Sequence, residues 1–291
     1  MKAAPFAYHR PDTVEQAVKL LGEYGDDAKI LAGGQSLVPL LAMRLTHFEN
    51  LIDISRLDEL RNIELDDGQV RIGAATPHAF VGMDDEVADS VPLLTLATPY
   101  IGHFQIRTRG TLGGAIAHAD PAAEYAAVAL ALDAQLDALS PRGRRQIPAA
   151  EFFTGLWQTS LASDEILTTV RFPVWTGRCG YSVHELARRH GDFAIAGAVL
   201  AVQVDDEDRV SRCAIGLLGL GSTPLRASAA ERAVVGTPAR DLTPTDVGEL
   251  AMSGLDDVPT DLQGSAEYRR KVGAAMVARA WTQASTEALN A

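Results

Sequence analysis

The residues with the clearest chemical potential are two pairs of glycines. One pair, Gly33-Gly34, interrupts an apolar run and is followed by Ser36, and the other, Gly113-Gly114, follows Thr111. A glycine beside a hydroxyl side chain allows backbone N–H groups to approach an anion with no Cβ in the way. One such loop is weak evidence of a ligand site. Two loops in one chain predict that the two phosphates of a dinucleotide are held from opposite sides.

Neither loop matches a common nucleotide motif. A Walker loop ends in Gly-Lys followed by Ser or Thr, and a Rossmann fingerprint reads Gly-x-Gly-x-x-Gly, and the sequence has neither pattern. Gly219 and Gly221 lack the third glycine, and we interpret them as a strand end before a helix. The first loop taken alone is also compatible with a structural turn, so phosphate binding is predicted from the two loops together.

Metal and hydrolytic sites are weaker alternatives. His118, Asp120 and Glu124 resemble a trio of metal ligands, but no further ligands lie near them in the sequence. Asp120 is better explained as the N-cap of a helix with Pro121 at its first position. Ser36 lacks the Gly-x-Ser-x-Gly frame of a nucleophile elbow. We therefore predict no metal site and no catalytic residue, and we expect the chemistry to belong to a bound cofactor.

The composition limits the class of protein, its partners and its location. The chain of 291 residues is 47% hydrophobic and 22% charged, which is typical of a soluble globular protein of two or three domains. A formal net charge of -12 argues against binding to nucleic acid or to anionic membranes. Cys179 and Cys213 are too few to hold an iron–sulfur cluster. The sequence shows no apolar leader and no membrane-spanning segment, so it predicts a cytoplasmic protein.

The elements around the first loop form a small unit, residues 1–55. Thr13 and Gln16 have the spacing of a capping box before a helical pattern. Residues 28–32 and 51–54 each predict a short buried strand. Ser36 is placed to cap a helix over residues 37–45, so the first glycine loop falls at a strand-to-helix junction.

Two further units mix strands and helices, and the predicted fold class is α+β. In residues 56–175, Asp67-Gly68 predicts a hairpin turn, residues 92–100 a helix, and residues 132–139 and 166–172 strands. We interpret residues 142–145 as a solvated turn. Residues 176–291 predict a hairpin of strands over 194–204 and 210–220, and helices over 225–235, 244–252 and 265–289.

Three segments show a family resemblance: Ala32-Gly33-Gly34-Gln35-Ser36-Leu37, Arg109-Gly110-Thr111-Leu112-Gly113-Gly114 and Ala117-His118-Ala119-Asp120-Pro121-Ala122-Ala123-Glu124. They resemble the FAD-binding medium subunit of the molybdenum hydroxylases, the xanthine dehydrogenase family. Residues 6–11, 165–167 and 191–194 extend the likeness over nearly the whole chain. Within the family, the sequence is most similar to the medium subunits of aerobic carbon monoxide dehydrogenases.

The resemblance implies a fold and a division into domains. Residues 1–55 and 56–175 would be the two subdomains of a PCMH-type FAD-binding fold that clasp the cofactor between them. Residues 176–291 would form a C-terminal domain of a small antiparallel sheet plus helices, like the C-terminal domain of carbon monoxide dehydrogenase flavoproteins.

The resemblance also implies roles for individual residues. The first loop would wrap the FAD pyrophosphate with backbone amides, through Lys29, Ile30, Leu31, Ala32, Gly33, Gly34, Gln35, Ser36 and Leu37. The second loop would complete that contact through Thr111, Gly113, Gly114 and Ala115. The remaining contacts would be Glu124 hydrogen-bonded to the cofactor, Ile101 and Phe193 beside the flavin, and Ile166 or Leu167 near the adenine.

Two positions depart from the family pattern. Ala115 stands where relatives often have Asn or Ser, so one side-chain hydrogen bond to the cofactor is expected to be missing. Glu185 stands where some relatives have Lys, which puts a cationic contact at that position in doubt.

The implied function is that of an oxidoreductase subunit with noncovalent FAD. A large partner subunit with molybdenum cofactor would oxidise the substrate, and a small partner subunit with [2Fe-2S] clusters would pass the electrons to this FAD. The expected assembly is a dimer of heterotrimers of the carbon monoxide dehydrogenase type. Shielding of the flavin by Phe193 favours a quinone or an electron-transfer chain over NAD as acceptor.

Three alternatives stay open. The first is the same role in a xanthine, aldehyde or N-heterocycle dehydrogenase, such as one acting on nicotine or nicotinate. The second is a stand-alone FAD oxidoreductase, which would need a catalytic base of its own. The third is a phosphate-binding protein without flavin.

Overall fold

The computed structural model describes residues 2–291 and confirms the α+β fold class. The first unit is a three-stranded parallel sheet in the order β1-β3-β2, with the first glycine loop between β2 and α2. Its elements are β1 (Ala7–His9), α1 (Val14–Tyr24), β2 (Ala28–Leu31), α2 (Leu37–Met43) and β3 (Asn50–Asp53).

Helix α1 begins as its capping residues predict. The Thr13 side chain accepts a hydrogen bond from the Gln16 amide at 3.2 Å, and the Gln16 side chain accepts one at 2.9 Å from the amide of Asp12, the residue before the cap. The buried face of α1 consists of Val14, Ala17, Val18 and Leu21. Ser36 occupies the cap position of α2, but its side chain makes no capping hydrogen bond, so this part of the prediction is wrong.

The second unit is a five-stranded antiparallel sheet in the order β4-β5-β10-β6-β7, covered by short helices. Its strands are β4 (Ile63–Asp66), β5 (Gln69–Gly73), β6 (Gln135–Ser140), β7 (Gly143–Pro148) and β10 (Ile166–Pro173), with the separate hairpin β8 (Phe153–Gly155) and β9 (Gln158–Thr159). Its helices are α3 (His78–Val81), α4 (Asp85–Ser90), α5 (Pro92–Ala97), α6 (Phe104–Arg107), α7 (Leu112–His118), α8 (Glu124–Ala131) and α9 (Ala149–Phe152).

The hairpin turn at Asp67-Gly68 is confirmed, with φ of 48° and 70° at its two residues. One other expectation for this unit is wrong. Asp120 does not cap α8, which begins four residues later; its carboxylate instead accepts a hydrogen bond from the Ala122 amide at 2.9 Å. Residues 142–145 are exposed at the β6–β7 hairpin tip, as predicted, and Arg142 pairs there with Asp164 and Arg145 with Glu165.

The third unit is a four-stranded antiparallel sheet with a long helix on one face. Its elements are β11 (Arg178–Leu186), β12 (Ala196–Val204), β13 (Val210–Leu218), β14 (Leu225–Arg226), α10 (Ser228–Val234), α11 (Pro244–Ala251) and α12 (Ala266–Asn290). Residues 225–226 pair with β13 instead of starting the predicted helix, because α10 begins only at Ser228. Helix α12 packs closely on β11, since a Cβ at Gly180 would lie 1.9 Å from the Ala284 carbonyl oxygen.

The second and third units share one hydrophobic core. Buried residues of α5, α7 and α8 pack together with Tyr181, Val199 and Leu218 of the C-terminal sheet. Helix α8 is buried along its whole length from Tyr125 onward. The predicted boundaries at 55/56 and 175/176 fall in connections between elements and stay predictions. No helix within residues 2–291 is both long and apolar enough to cross a membrane.

Candidate functional site

The first glycine loop lines an open cleft with a volume of about 320 Å³. The backbone amides of residues 33–37 donate no hydrogen bond to any acceptor in the part of the chain that the structure describes. These five consecutive amides lead into helix α2, and donors at a helix start can be satisfied by a ligand or by water. The residues that line the cleft are Leu31, Ala32, Gly33, Gly34, Gln35, Val38, Pro39, Asp53, Ser55 and Arg109.

The two glycine loops lie against each other. A Cβ at Gly33 would lie 2.1 Å from the Arg109 carbonyl oxygen and 2.6 Å from the Gly110 Cα. A Cβ at Gly114 would lie 3.5 Å from the Ala32 Cβ. The sequence prediction that the loops meet at one place is thus consistent with their positions in the fold, and Gly33 is the residue that permits the close approach.

The second loop uses its own amides within the fold. The Gly113 amide donates to the Ala74 carbonyl at 2.9 Å, and the Gly114 amide donates to the Thr111 hydroxyl at 3.0 Å. Thr111 is therefore the N-cap of α7. Gly113 is buried, and a Cβ there would lie 2.4 Å from the Ala74 Cβ. The Ala115 amide likewise donates to the Thr111 carbonyl. The amides of Gly113, Gly114 and Ala115 are therefore used within the fold and are not free to bind a ligand.

The other predicted residues of the first loop have different surroundings. Leu31 lines the cleft, whereas Ile30 packs in the core of the first unit. The exposed Lys29 ammonium lies 5.7 Å from the centre of the Phe48 ring. The Gln35 side chain donates to the Gly33 carbonyl at 3.0 Å, which holds the loop in its turn.

Three polar residues of the cleft were missed by the sequence reasoning. Asp53 and Ser55 enter because β3 ends beside β2 in a parallel sheet, and the Asp53 carboxylate accepts a hydrogen bond from the Ser55 amide at 2.8 Å. The Tyr8 hydroxyl donates to the other oxygen of Asp53. Arg109 brings the only cationic side chain among the residues that line the cleft. The sequence signal that could have identified Arg109 is its position directly before the second glycine loop.

Two acidic residues lie near each other beyond the glycine loops. Glu124 is the first residue of α8, and burial together with the Asp120 charge raises its pKa to about 7. Glu185 is near the end of β11, and burial together with the Glu124 charge raises its pKa to about 8. One buried carboxylate oxygen of Glu185 has no hydrogen-bond partner among residues 2–291. Near pH 7, Glu185 is therefore mostly neutral and Glu124 is about half neutral, and a neutral carboxyl can donate a hydrogen bond.

Ile101, Ile166 and Leu167 are all buried, and none lines the cleft. The carbonyls of Ile101 and Gly102 accept hydrogen bonds from the Arg107 guanidinium at 3.1 and 3.0 Å, which fixes the turn before α6. Ile166 belongs to the core of the first unit and Leu167 to the shared core.

Phe193 lies on the surface, with 60% of its area exposed. It follows Gly191, whose backbone packs against His103: a Cβ there would lie 2.7 Å from the imidazole. Gly191 has a φ of 85°, so the turn that the sequence predicts before the strand is present. The exposed ring is not part of the core between the second and third units.

His118, Asp120 and Glu124 do not form a metal centre. No group of three or more metal-ligating side chains comes together anywhere in the described range, residues 2–291. His118 instead stacks beside the Trp157 ring, and Asp120 accepts a hydrogen bond from the Trp157 indole at 3.3 Å.

Comparison with known proteins identifies the chain. Residues 4–175 match a family described as the FAD binding domain in molybdopterin dehydrogenase, and residues 181–284 match the CO dehydrogenase flavoprotein C-terminal domain. The chain is thus an FAD-binding flavoprotein subunit of an oxidoreductase. It belongs to the FAD-binding medium subunits of the molybdenum hydroxylases, as the sequence motifs predict.

Relatives with different substrates in their names match over nearly their whole length. The chain is 42% identical to the 6-hydroxypseudooxynicotine dehydrogenase complex subunit alpha of Paenarthrobacter nicotinovorans, covering 98% of this chain and 96% of that protein. It is 37% identical to the caffeine dehydrogenase subunit beta of Pseudomonas sp. strain CBB1, with coverage of 98% and 96%. The carbon monoxide dehydrogenase structure from Hydrogenophaga pseudoflava matches with a TM-score of 0.94, 36% identity and 99% coverage of both chains.

Proposed function

We propose that the chain holds FAD noncovalently, with the diphosphate in the cleft of the first glycine loop. The observation that supports this best is the set of five amides at residues 33–37 that have no acceptor among residues 2–291. They are donors of the kind that a diphosphate can satisfy, and Arg109 adds a positive charge at the same cleft. Neither loop contains a His or Cys to which a flavin could be attached.

We infer that Glu124, a predicted cofactor contact, and the nearby Glu185 form a second, acidic part of the site. When neutral, their carboxyl groups supply O–H donors, and the turn after Ile101 lies against the turn before Phe193. When bound, FAD supplies the capacity to accept and release electrons, and the residues of this chain bind and orient it. We infer that the exposed Phe193 ring restricts access to the flavin, which would favour a quinone or an electron-transfer chain over a nicotinamide as acceptor.

The electrons would come from partner subunits. Two cysteines cannot hold an iron–sulfur cluster, and the structure shows no metal-ligand cluster within residues 2–291. We infer a large subunit with molybdenum cofactor, a small subunit with [2Fe-2S] clusters, and a dimer of heterotrimers. The mass of the native complex, and its ratio of molybdenum and iron to flavin, test this inference. A single chain that oxidises a substrate by itself would refute it.

The substrate of the complex has two candidates. A carbon monoxide dehydrogenase-type complex is supported by the C-terminal domain match and by the fold similarity to that enzyme. An N-heterocycle dehydrogenase is supported by the 42% identity to a subunit of a nicotine-derivative dehydrogenase. The purified complex should be assayed with carbon monoxide and with a panel of N-heterocycles, including nicotine and caffeine, using the same artificial acceptor. If only one class of substrate reduces the acceptor, the complex is assigned to that class. If neither class reduces it, both candidates are rejected.

A further inference from the structure

Trp157 has a backbone conformation that a bulky side chain does not favour. It lies at the tip of the β8–β9 hairpin with a φ of 56°, in the left-handed region that Gly and Asn adopt most easily. Its side chain is 60% exposed, so burial of the indole contributes little to the stability of the hairpin. Strained residues of this kind concentrate at ligand sites, where another interaction makes use of them.

The exposed indole is nevertheless held in one orientation. Its N–H donates to one oxygen of Asp120 at 3.3 Å, and the other oxygen of Asp120 accepts from the Ala122 amide at 2.9 Å. The ring is nearly parallel to the His118 ring, with 9° between the planes and 6.5 Å between the centroids. The exposed indole and the partly buried imidazole thus form a nearly parallel pair.

These rings lie close to the predicted cofactor site. Helix α7 leads from the second glycine loop directly to His118, a distance of about 10 Å for its seven residues. Strand β9 of the Trp157 hairpin packs against the same helix. His118 is also near enough to Lys29, in the strand before the first glycine loop, to feel its charge.

We propose that Trp157 and His118 form an aromatic platform on which one planar heterocycle of the cofactor stacks. The proposal rests on the FAD site proposed above and adds a contact outside both glycine loops. Adenine and isoalloxazine are both flat, and stacking on an aromatic ring depends on that shared property. The strained tip is then explained, because a Trp is needed where the backbone alone would favour Gly or Asn.

The first test compares FAD binding by full-length apoprotein variants. Trp157→Asn removes the ring and suits the left-handed backbone, so we expect a dissociation constant about tenfold higher with no fall in unfolding temperature. Trp157→Phe keeps a ring and should stay within about threefold of the wild type. Asp67→Asn is the matched control, because Asp67 is also a left-handed residue at a hairpin tip, and it should leave FAD binding unchanged.

The second test measures the accessibility of Trp157 itself. Trp175 and Trp281 are 7% and 1% exposed, so acrylamide quenching of tryptophan fluorescence reports mainly on Trp157. Protection by AMP identifies adenine as the stacked ring, and protection by FMN alone identifies isoalloxazine. If Trp157→Asn binds FAD like the wild type and neither ligand protects the indole, the platform is wrong. Loss of FAD in a Gly33→Ala variant would still support the diphosphate site in that case, so the two proposals fail separately.

Discussion

The two glycine loops are alike in sequence and different in what their backbones do. In the first loop, the amides of residues 33–37 have no acceptor among residues 2–291. In the second loop, the amides of Gly113 and Gly114 bond to Ala74 and to Thr111. The missing Cβ opens the backbone to a ligand in one loop, and it allows close packing in the other. A glycine motif alone therefore does not say which of these two uses applies.

The largest expected effect is that of Gly33→Ala. Its new Cβ would lie 2.1 Å from the Arg109 carbonyl oxygen, so the two loops must separate and the free amides move. We expect FAD affinity to fall by at least about 100-fold, or roughly 3 kcal/mol. The measurement is the ratio of flavin to protein, followed by titration of the apoprotein with excess FAD.

Gly22→Ala, in helix α1, is the control for this variant. Its new Cβ would meet only the Pro141 side chain, at 3.3 Å. A Gly33→Ala protein that purifies with a full complement of FAD would show that the first loop does not hold the diphosphate.

Gly113→Ala should lower the stability of the fold and leave the affinity for FAD nearly unchanged. The added Cβ would lie 2.4 Å from the Ala74 Cβ and 2.7 Å from its carbonyl oxygen, inside the fold. Overpacking of this kind lowers the free energy of unfolding by about 1–3 kcal/mol. We expect a lower unfolding temperature by calorimetry, with a nearly unchanged FAD dissociation constant for the folded fraction. A loss of FAD affinity as large as that of Gly33→Ala would mean that both loops bind the cofactor directly.

The buried pair Glu124 and Glu185 extends the comparison to pH. Burial raises the pKa of Glu124 to about 7 and that of Glu185 to about 8, so folding favours the neutral carboxyls. Their stabilising contribution is complete below the unfolded pKa near 4.5 and is lost as the pH rises through 7 and 8. We expect the free energy of unfolding of the apoprotein to fall by at least about 2 kcal/mol between pH 5 and about 9.

Glu185→Gln should flatten that pH profile, because a carboxamide does not ionise. The exposed Glu15→Gln variant serves as the control and should leave the profile as it is. If the profile of Glu185→Gln follows that of the wild type, Glu185 does not hold a proton in the folded protein.

The smallest expected effect concerns the charge at the first loop. Arg109→Ala should weaken FAD binding by about tenfold, because a cation beside a diphosphate contributes a charge-assisted hydrogen bond. The loss should shrink at high salt, which screens an exposed pair. Arg61→Ala removes another exposed cation outside the cleft and should have no effect. Equal affinities of Arg109→Ala and the wild type at low salt would remove the Arg109 contact from the site.

The sequence by itself determined the local structure wherever the deciding contact is close along the chain. The capping box at Thr13 and Gln16, the turn at Asp67-Gly68 and the alternating strands depend on residues a few positions apart. For the same reason, the strand-to-helix position of the first glycine loop and the α+β class could be predicted. The family motifs added the FAD-binding assignment, which the comparisons confirm.

Only the tertiary structure decided which donors of the two loops are free. Ala74 and Thr76 satisfy the second loop from about forty residues away in the chain, and no local pattern reveals such a partner. Arg109 and Asp53 reach the first loop in the same way, through strand order and through the contact between the two glycine loops. The expectation that Asp120 caps α8 failed because this helix begins only at Glu124, and the Asp120 carboxylate bonds the Ala122 amide and the Trp157 indole instead.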